Sequence, residues 1–104
     1  MREIKFKVWN TLDKCFVSQK SNFFTAVLTV ALQGNKHYEA HQYTGLKDKN
    51  GVEIYEGDVV YIAGYGNYKV EFPFMFLYEA LIENDIGAIL GNIYENPELL
   101  EGDL

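Results

Sequence analysis

Three residues spaced by two, His37, Glu39 and His41, are the candidates for a metal site in this sequence. Alternate side chains of a β-strand point to the same side, so all three would share one face if the segment is extended. Imidazole nitrogens and carboxylate oxygens are ligands that zinc and iron accept. Exposed polar residues on an edge strand show the same pattern. A metal-dependent enzyme built on this trio is therefore one functional hypothesis, and it ranks behind two others.

The remaining reactive residue types do not form a catalytic pattern. Cys15 could act as a nucleophile with a histidine as base, but Lys14 is the only neighbour that would favour a thiolate, so a small apolar filler is the better interpretation. Glu53, Glu56 and Asp58 could pair as acid and base. The segment Glu-Gly-Asp is instead typical of a turn in which the aspartate bonds to nearby backbone. The sequence therefore predicts no catalytic residue, no cofactor and no enzyme.

The elements that would position these residues are mostly strands. In the N-terminal segment, residues 1–40, Ile4, Phe6 and Val8 alternate with charged residues as in a half-buried strand. Residues 15–17 suit a short return strand. The apolar run 23–32 is predicted as a second strand, although a buried helix fits a run of this length too.

The segment 41–104 is predicted to be a small barrel region within a single domain, 1–104. Residues 42–55 form a hairpin pattern around Asn50-Gly51, because this dipeptide supplies the positive φ angles of tight turns. Strands at 59–62 and 68–72, joined by a turn at 64–67, complete a meander. The elements predicted beyond it are a helix at 77–84, a strand at 86–94 and a short helix beginning after Asn96-Pro97. The predicted fold class is mostly β with minor α.

The charge is unevenly distributed along the chain. The formal net charge is −6, yet residues 70–104 contain eight acids and no lysine or arginine, whereas all nine basic residues lie at or before Lys69. An acidic surface repels phosphate and attracts basic partners, although it also simply aids solubility. With one cysteine and no apolar run of about 20 residues, the chain is expected in the cytoplasm, without a membrane partner.

One dense apolar run stands out as a candidate interface. Its members are Phe72, Phe74, Met75, Phe76 and Leu77. Aromatic residues and methionine are enriched where proteins contact each other. A domain of this size can leave part of such a run at its surface, so the run predicts self-association. A fully internal core segment is the alternative.

Two long segments resemble a known family. Residues 42–60 read Gln-Tyr-Thr-Gly-Leu-Lys-Asp-Lys-Asn-Gly-Val-Glu-Ile-Tyr-Glu-Gly-Asp-Val-Val, and residues 91–100 read Gly-Asn-Ile-Tyr-Glu-Asn-Pro-Glu-Leu-Leu. Both are similar to signature segments of the YopX family of bacteriophage and prophage proteins, and residues 1–9 resemble its amino terminus. The resemblance implies a phage or prophage origin, in a Gram-positive host, and a mostly-β fold with an SH3-like part. It implies no activity and transfers no catalytic residue.

Three functions follow in order of preference. The first is a non-enzymatic protein that binds itself, and a host or phage protein, through residues 72–77 and the acidic carboxy-terminal third. The second is an SH3-like module that stacks single-stranded nucleic acid on tyrosines, for which the candidates are Tyr43, Tyr55, Tyr61, Tyr65 and Tyr68. The shortage of basic residues disfavours it, and the acidic third would also suit a nucleic-acid mimic. The third is the metal-dependent enzyme.

Overall fold

The computed structural model describes residues 4–101, and within them the chain is mostly β. It contains seven strands, two α-helices and one 3-10 helix in the described range. The chain divides into two compact units, Met1–Tyr43 and Thr44–Leu104. Residues 1–3, which include the first two residues of the strand predicted at 2–9, lie outside the described residues.

The first unit is an antiparallel sheet with one helix. Strand β1 (Phe6–Asn10) pairs with β2 (Cys15–Phe16) on one side and with β3 (Tyr38–Lys47) on the other. The register sets Trp9 opposite Phe16, and their rings meet edge to face at 4.8 Å. This geometry suits the ring quadrupoles and anchors the short β2 to β1. The predicted amino-terminal strand and its return strand are therefore confirmed.

The apolar run after β2 is a helix, so the strand predicted there is wrong. Helix α1 spans Phe24–Leu32. Its half-buried residues Phe24, Val27, Leu28 and Ala31 recur at the three- and four-residue spacing of one helical face, and α1 packs against β1. The β-branched residues that favoured a strand are accommodated, since the Thr29 hydroxyl donates to the Thr25 carbonyl 2.8 Å away.

The second unit begins with the predicted hairpin. The end of β3 leads through a turn at 48–52 into β4 (Glu53–Tyr55), and Gly51 adopts a φ of 81°. Next come β5 (Asp58–Ile62) and β6 (Gly66–Lys69), joined by the predicted turn, with Ile62 opposite Gly66. Strand β7 (Ile86–Asn92) pairs with the other edge of β5, giving the order β6-β5-β7. The two hairpins and the last strand are thus confirmed. The predicted meander is wrong, because β4 and β5 lie in different sheets and β6 ends at Lys69 instead of residue 72.

The core of the second unit lies between these strands and a helix. Helix α2 spans Met75–Ile82, close to the predicted helix, and buries Leu77 and Ala80. Phe74, immediately before it, is 1% exposed and has a φ of 70°. The core cluster consists of Ile54, Val60, Ile62, Val70, Phe74, Leu77 and Ala80. A 3-10 helix (Pro97–Leu100) follows, as the Asn-Pro pair predicted, although Asn96 makes no side-chain cap bond.

Across residues 4–101, neither helix has the length and apolar character needed to cross a membrane.

Candidate protein-interaction surface

The predicted metal trio is spread along the start of β3. His37 precedes the strand, Glu39 is exposed opposite Trp9, and His41 is buried opposite Lys7. In the part of the chain that the structure describes, no three histidine, cysteine or acidic side chains form a group that could hold a metal ion. The structure therefore does not bring the trio together as one group of ligands.

The acidic corner after β4 has a structural role. The Asp58 carboxylate accepts a hydrogen bond from the Tyr55 backbone N–H at 2.8 Å, and Gly57 between them has a φ of 89°. The Tyr55 hydroxyl donates to Glu53 at 3.2 Å. This is the turn that the sequence predicts, and two of the three carboxylates that could have paired for catalysis, Asp58 and Glu53, accept these hydrogen bonds. Cys15 is exposed at the end of the β1–β2 turn.

The apolar run 72–77 is divided between core and surface. Phe74 and Leu77 are buried in the core of the second unit, so they offer nothing to a partner. Phe72 and Met75 are 64% and 62% exposed, and Phe76 is 36% exposed. Ile82, seven residues after Met75 and therefore on the same side of α2, is exposed as well. Met75 and Ile82, together with Phe72 ahead of the helix, are called the outer face of α2 below.

An aromatic cluster lies where the β5–β6 turn meets α2. The Phe76 ring is 5.0 Å from that of Tyr65 and 4.8 Å from that of Tyr68, and both pairs are tilted. Tyr65 and Tyr68 meet edge to face at 5.8 Å. Burial, followed by the charge of Glu71, raises the pKa of Tyr68 above its usual 10.0. Tyr65 is 62% exposed at the tip of the turn, as predicted.

A shallow cleft of about 280 Å³ opens beside this cluster, and it is called the aromatic cleft below. Its apolar part is formed by Ile62, Ala63 and Ala80, and two rings, Tyr65 and Phe76, line it. Gly64 and three acidic residues, Glu79, Glu83 and Asp85, complete the lining. An apolar, aromatic cleft with acids among its lining residues is suited to a cationic group.

The cleft is held in shape by backbone bonds between its walls. The Ala63 N–H donates to the Asp85 carbonyl at 2.9 Å, and the Asp85 N–H donates to the Ala80 carbonyl at 2.8 Å. The Tyr65 N–H donates to the Ile62 carbonyl at 3.0 Å. These bonds fix the end of β5, the end of α2 and the start of β7 to one another, so the cleft is formed without a ligand.

The predicted tyrosine platform does not form as a single surface. Tyr43 and Tyr55 are buried, whereas Tyr61 and Tyr65 are exposed and Tyr68 is half-buried in the aromatic cluster. Of these five, Tyr65 and Tyr68 are joined by a ring contact. The cluster also contains Phe76, which the sequence assigned to the apolar run instead.

Two buried polar side chains of the first signature segment form hydrogen bonds with backbone groups of the β3–β4 hairpin and of β7. Asp48 is buried, and one of its oxygens accepts from the Asn50 and Val52 N–H groups at 2.8 and 2.9 Å. The other oxygen accepts from the Ile89 N–H of β7 at 2.9 Å. The buried Thr44 hydroxyl donates to the Ile54 carbonyl at 2.7 Å, which ties β3 to β4. These polar side chains specify the fold.

The second signature segment is a turn fixed by its own amides. The Asn92 side-chain oxygen accepts from the Tyr94 and Glu95 N–H groups at 3.0 and 2.9 Å, and its amide donates to the Glu95 carboxylate at 2.7 Å. The Asn96 side-chain oxygen accepts from the Asn92 N–H at 3.3 Å. A Cβ on Gly91 would overlap the Asn96 side chain. Glycine is therefore required where this turn closes on β7.

The sequence missed the acids of the aromatic cleft. Glu79 and Glu83 lie four residues apart on α2 and three and seven residues after Phe76, which places all three along one side of the helix. That spacing was visible in the sequence. The position of Tyr65 beside them depends on how β5 and β6 pack on α2, which no spacing gives.

Comparison with known proteins finds the family that the two signature segments resemble. The family described as YopX protein matches residues 5–101. A solved structure, the crystal structure of protein EF1440 from Enterococcus faecalis, is similar to the chain with a TM-score of 0.57 and 27% sequence identity, over 96% of this chain and 99% of that one. No curated protein matches the chain.

Proposed function

The chain belongs to the YopX family, and from that premise we propose that it is a non-enzymatic protein-interaction module of bacteriophage or prophage origin. Its binding surface is the outer face of α2 together with the adjoining aromatic cleft. The single cysteine, which is exposed, suits a place in the reducing cytoplasm of a bacterial host.

The outer face of α2 is the observation that supports this function. Met75 and Ile82 expose large apolar side chains on one side of a short helix, and Phe72, three residues before it begins, exposes another. Scattered single apolar residues on a surface are ordinary, whereas a group of them beside exposed aromatic rings is characteristic of a contact surface. Methionine adapts its shape to a partner, which favours binding over rigid packing.

The charge around this face favours a partner that is a different protein. Glu71, Glu79 and Glu83 are exposed on or beside α2, and residues 70–104 have no basic residue. A homodimer formed through α2 would bring the same acids of two copies together, and like charges across an interface are costly. Self-association, which the apolar run predicts, would therefore need an arrangement that keeps these acids apart.

The alternative function, nucleic-acid binding by an SH3-like barrel over residues 41–104, has one supporting observation. The antiparallel sheet β6-β5-β7 presents the exposed Tyr65 at a turn, where a base could stack. Three acids line the cleft beside this ring. Their repulsion of phosphate makes the alternative the less favoured one.

The test is capture of partners by a surface variant and its control. Purified tagged protein is incubated with host lysate, with and without nuclease, and compared with a variant that combines Met75→Asp and Ile82→Asp. The control combines Leu12→Asp and Leu32→Asp, which change two apolar residues exposed elsewhere to a similar degree. Thermal unfolding followed by circular dichroism verifies that both variants fold.

The proposal expects a nuclease-resistant partner that the wild type and the control retain and that the α2 variant loses. Light scattering of the purified protein shows whether the partner on this surface is a second copy of the chain or a different protein. A particle larger than the 12.0 kDa monomer that the α2 variant dissociates would make the partner a second copy. Equal capture by all three proteins, or capture lost with nuclease, would contradict the proposal.

A further inference from the structure

We propose that the aromatic cleft binds an arginine side chain presented by a basic segment of the partner protein. This inference rests on the proposed function and specifies which side chain the partner presents to the cleft. Its basis is the combination of a preformed cleft, two rings in its lining and three carboxylates among the same lining residues.

The size of the cleft suits a single side chain. Its volume of about 280 Å³ lies below the range of about 300 to 1,000 Å³ that is typical of sites for drug-sized ligands. A long side chain can lay its methylene groups against Ile62, Ala63 and Ala80 while its charged end stays near water. The cleft therefore fits the end of a protein side chain better than a nucleotide or another large cofactor.

The rings favour a cation among such side chains. The face of an aromatic ring carries partial negative charge and attracts a cation placed within about 6 Å of its centre. Tyr65 is largely exposed and Phe76 partly so, and the tilt of 57° between them directs their faces differently. A planar guanidinium can stack on such a ring, which an ammonium cannot do.

The acids supply the charge complement. In the described residues 4–101, no lysine or arginine side chain is paired with Glu79, Glu83 or Asp85. The nearest basic residue in the sequence of this unit, Lys69, is paired with Glu71 at 3.4 Å. Lys47 and Lys49 line a separate depression with Leu81 and Asn84. The carboxylates of the cleft are therefore available to an incoming cation, and a guanidinium can donate to two carboxylate oxygens at once.

A peptide titration tests the inference without the partner. The probe is the blocked peptide acetyl-Ala-Ala-Arg-Ala-Ala-amide, titrated into isotopically labelled protein at low salt and followed by nuclear magnetic resonance. Its control replaces the arginine with citrulline, which keeps the shape and removes the charge. We expect saturable shifts confined to residues 62–65 and 76–85 with the arginine peptide and none with citrulline.

Two variants and two controls locate the site. Glu83→Gln should weaken binding about twofold to fivefold, the range of an exposed ion pair, and Tyr65→Ala should weaken it about fivefold, as loss of a cation–π contact does. Glu101→Gln removes the same charge from an exposed position outside the cleft, and Phe23→Ala removes an exposed ring from the first unit. Both controls should bind as the wild type does.

Several results would overturn the inference. These are equal shifts with the citrulline peptide, shifts centred on other residues, or equal weakening by Glu101→Gln and Glu83→Gln, which would indicate attraction to overall charge. The outcome is separable from that of the proposed function. Loss of the captured partner by the α2 variant together with no arginine binding would defeat this inference alone, whereas arginine binding without any α2-dependent partner would defeat the proposed function.

Discussion

The carboxylate of Asp48 accepts a hydrogen bond from the backbone N–H of Ile89, which lies 2.9 Å away and 41 residues further along the chain. The same side chain closes its own turn through the N–H groups of Asn50 and Val52. One buried acid therefore joins the β3–β4 hairpin to β7. Because Asp48 lies in the first signature segment, we interpret the role of that segment as structural.

Replacing Asp48 with asparagine should destabilise the second unit. The amide oxygen of asparagine can still accept from Asn50 and Val52, but an NH2 group would then face the Ile89 N–H. We expect a loss of about 2 kcal/mol in the free energy of unfolding, as for a hydrogen bond to a charged group. Urea unfolding followed by circular dichroism measures it.

Asp85→Asn is the matched control for this variant. It makes the same chemical change in the same unit. The carboxylate of Asp85 does not accept the hydrogen bonds that Asp48 accepts from the Asn50, Val52 and Ile89 N–H groups. Its effect should stay within about 0.5 kcal/mol. A similar loss in both variants would show that net charge, and not the Asp48–Ile89 bond, sets the stability.

The contribution of Asp48 should also depend on pH. Burial alone would raise the pKa of this carboxyl, but the N–H groups of Ile89, Val52 and Asn50 and the charge of Lys49 together hold it below the usual 3.8. A carboxyl whose pKa is lowered by folding stabilises the protein fully above its unfolded pKa. That stabilisation is lost as the pH falls from about 4 through the folded pKa.

The measurement is the difference in unfolding free energy between wild type and Asp48→Asn across pH. It should be constant from pH 7 to 5 and shrink below about pH 4, because asparagine does not titrate. A difference that persists unchanged to the lowest pH at which the wild type folds would contradict the lowered pKa.

Turns were predictable from the sequence because tight turns need positive φ angles, which few residue types adopt easily. Asn50-Gly51 predicted the hairpin, and Gly51 has the positive φ that this turn requires. The run 23–32 was not predictable as a helix, since an apolar segment of that length fits a buried strand or a helix face equally well. Packing of α1 on β1 decided between them.

The candidate surface was predictable only in part. The density of the run 72–77 indicated an interface, but the sequence could not show that Phe74 would turn inward through a left-handed backbone conformation while its neighbours stayed outside. The aromatic cleft depends on tertiary contacts between Tyr65 and Phe76, eleven residues apart on different elements. Spacing along the chain carries no information on such contacts.

Gly91→Ala should destabilise the turn of the second signature segment. A Cβ at this position would lie 2.6 Å from Cγ and 2.8 Å from Cβ of Asn96, closer than nonbonded carbons approach. Relief requires the Asn96 side chain to move, which breaks its bond to the Asn92 N–H. We expect a cost of about 1 to 3 kcal/mol in urea unfolding, as in overpacked sites.

A double-mutant cycle with Asn96→Gly isolates the cause of that loss. Removing the Asn96 side chain frees the space, so adding Gly91→Ala to Asn96→Gly should cost less than Gly91→Ala does alone. The difference is the coupling between the two positions. Strict additivity would mean that the steric conflict with Asn96 is not what makes glycine necessary.

Phe74→Ala and Met75→Ala test how the apolar run divides between core and surface. Phe74 is 1% exposed and belongs to the core cluster, so its truncation leaves a cavity and should cost about 3 to 5 kcal/mol. Met75, the next residue, is 62% exposed, so its truncation should change stability by less than about 0.5 kcal/mol. Thermal unfolding of the two purified variants compares them directly. Because the truncated Met75 variant keeps its fold, a loss of partner capture in it reports on binding alone, whereas comparable destabilisation by both changes would place Met75 in the core and remove the outer face of α2 as a binding surface.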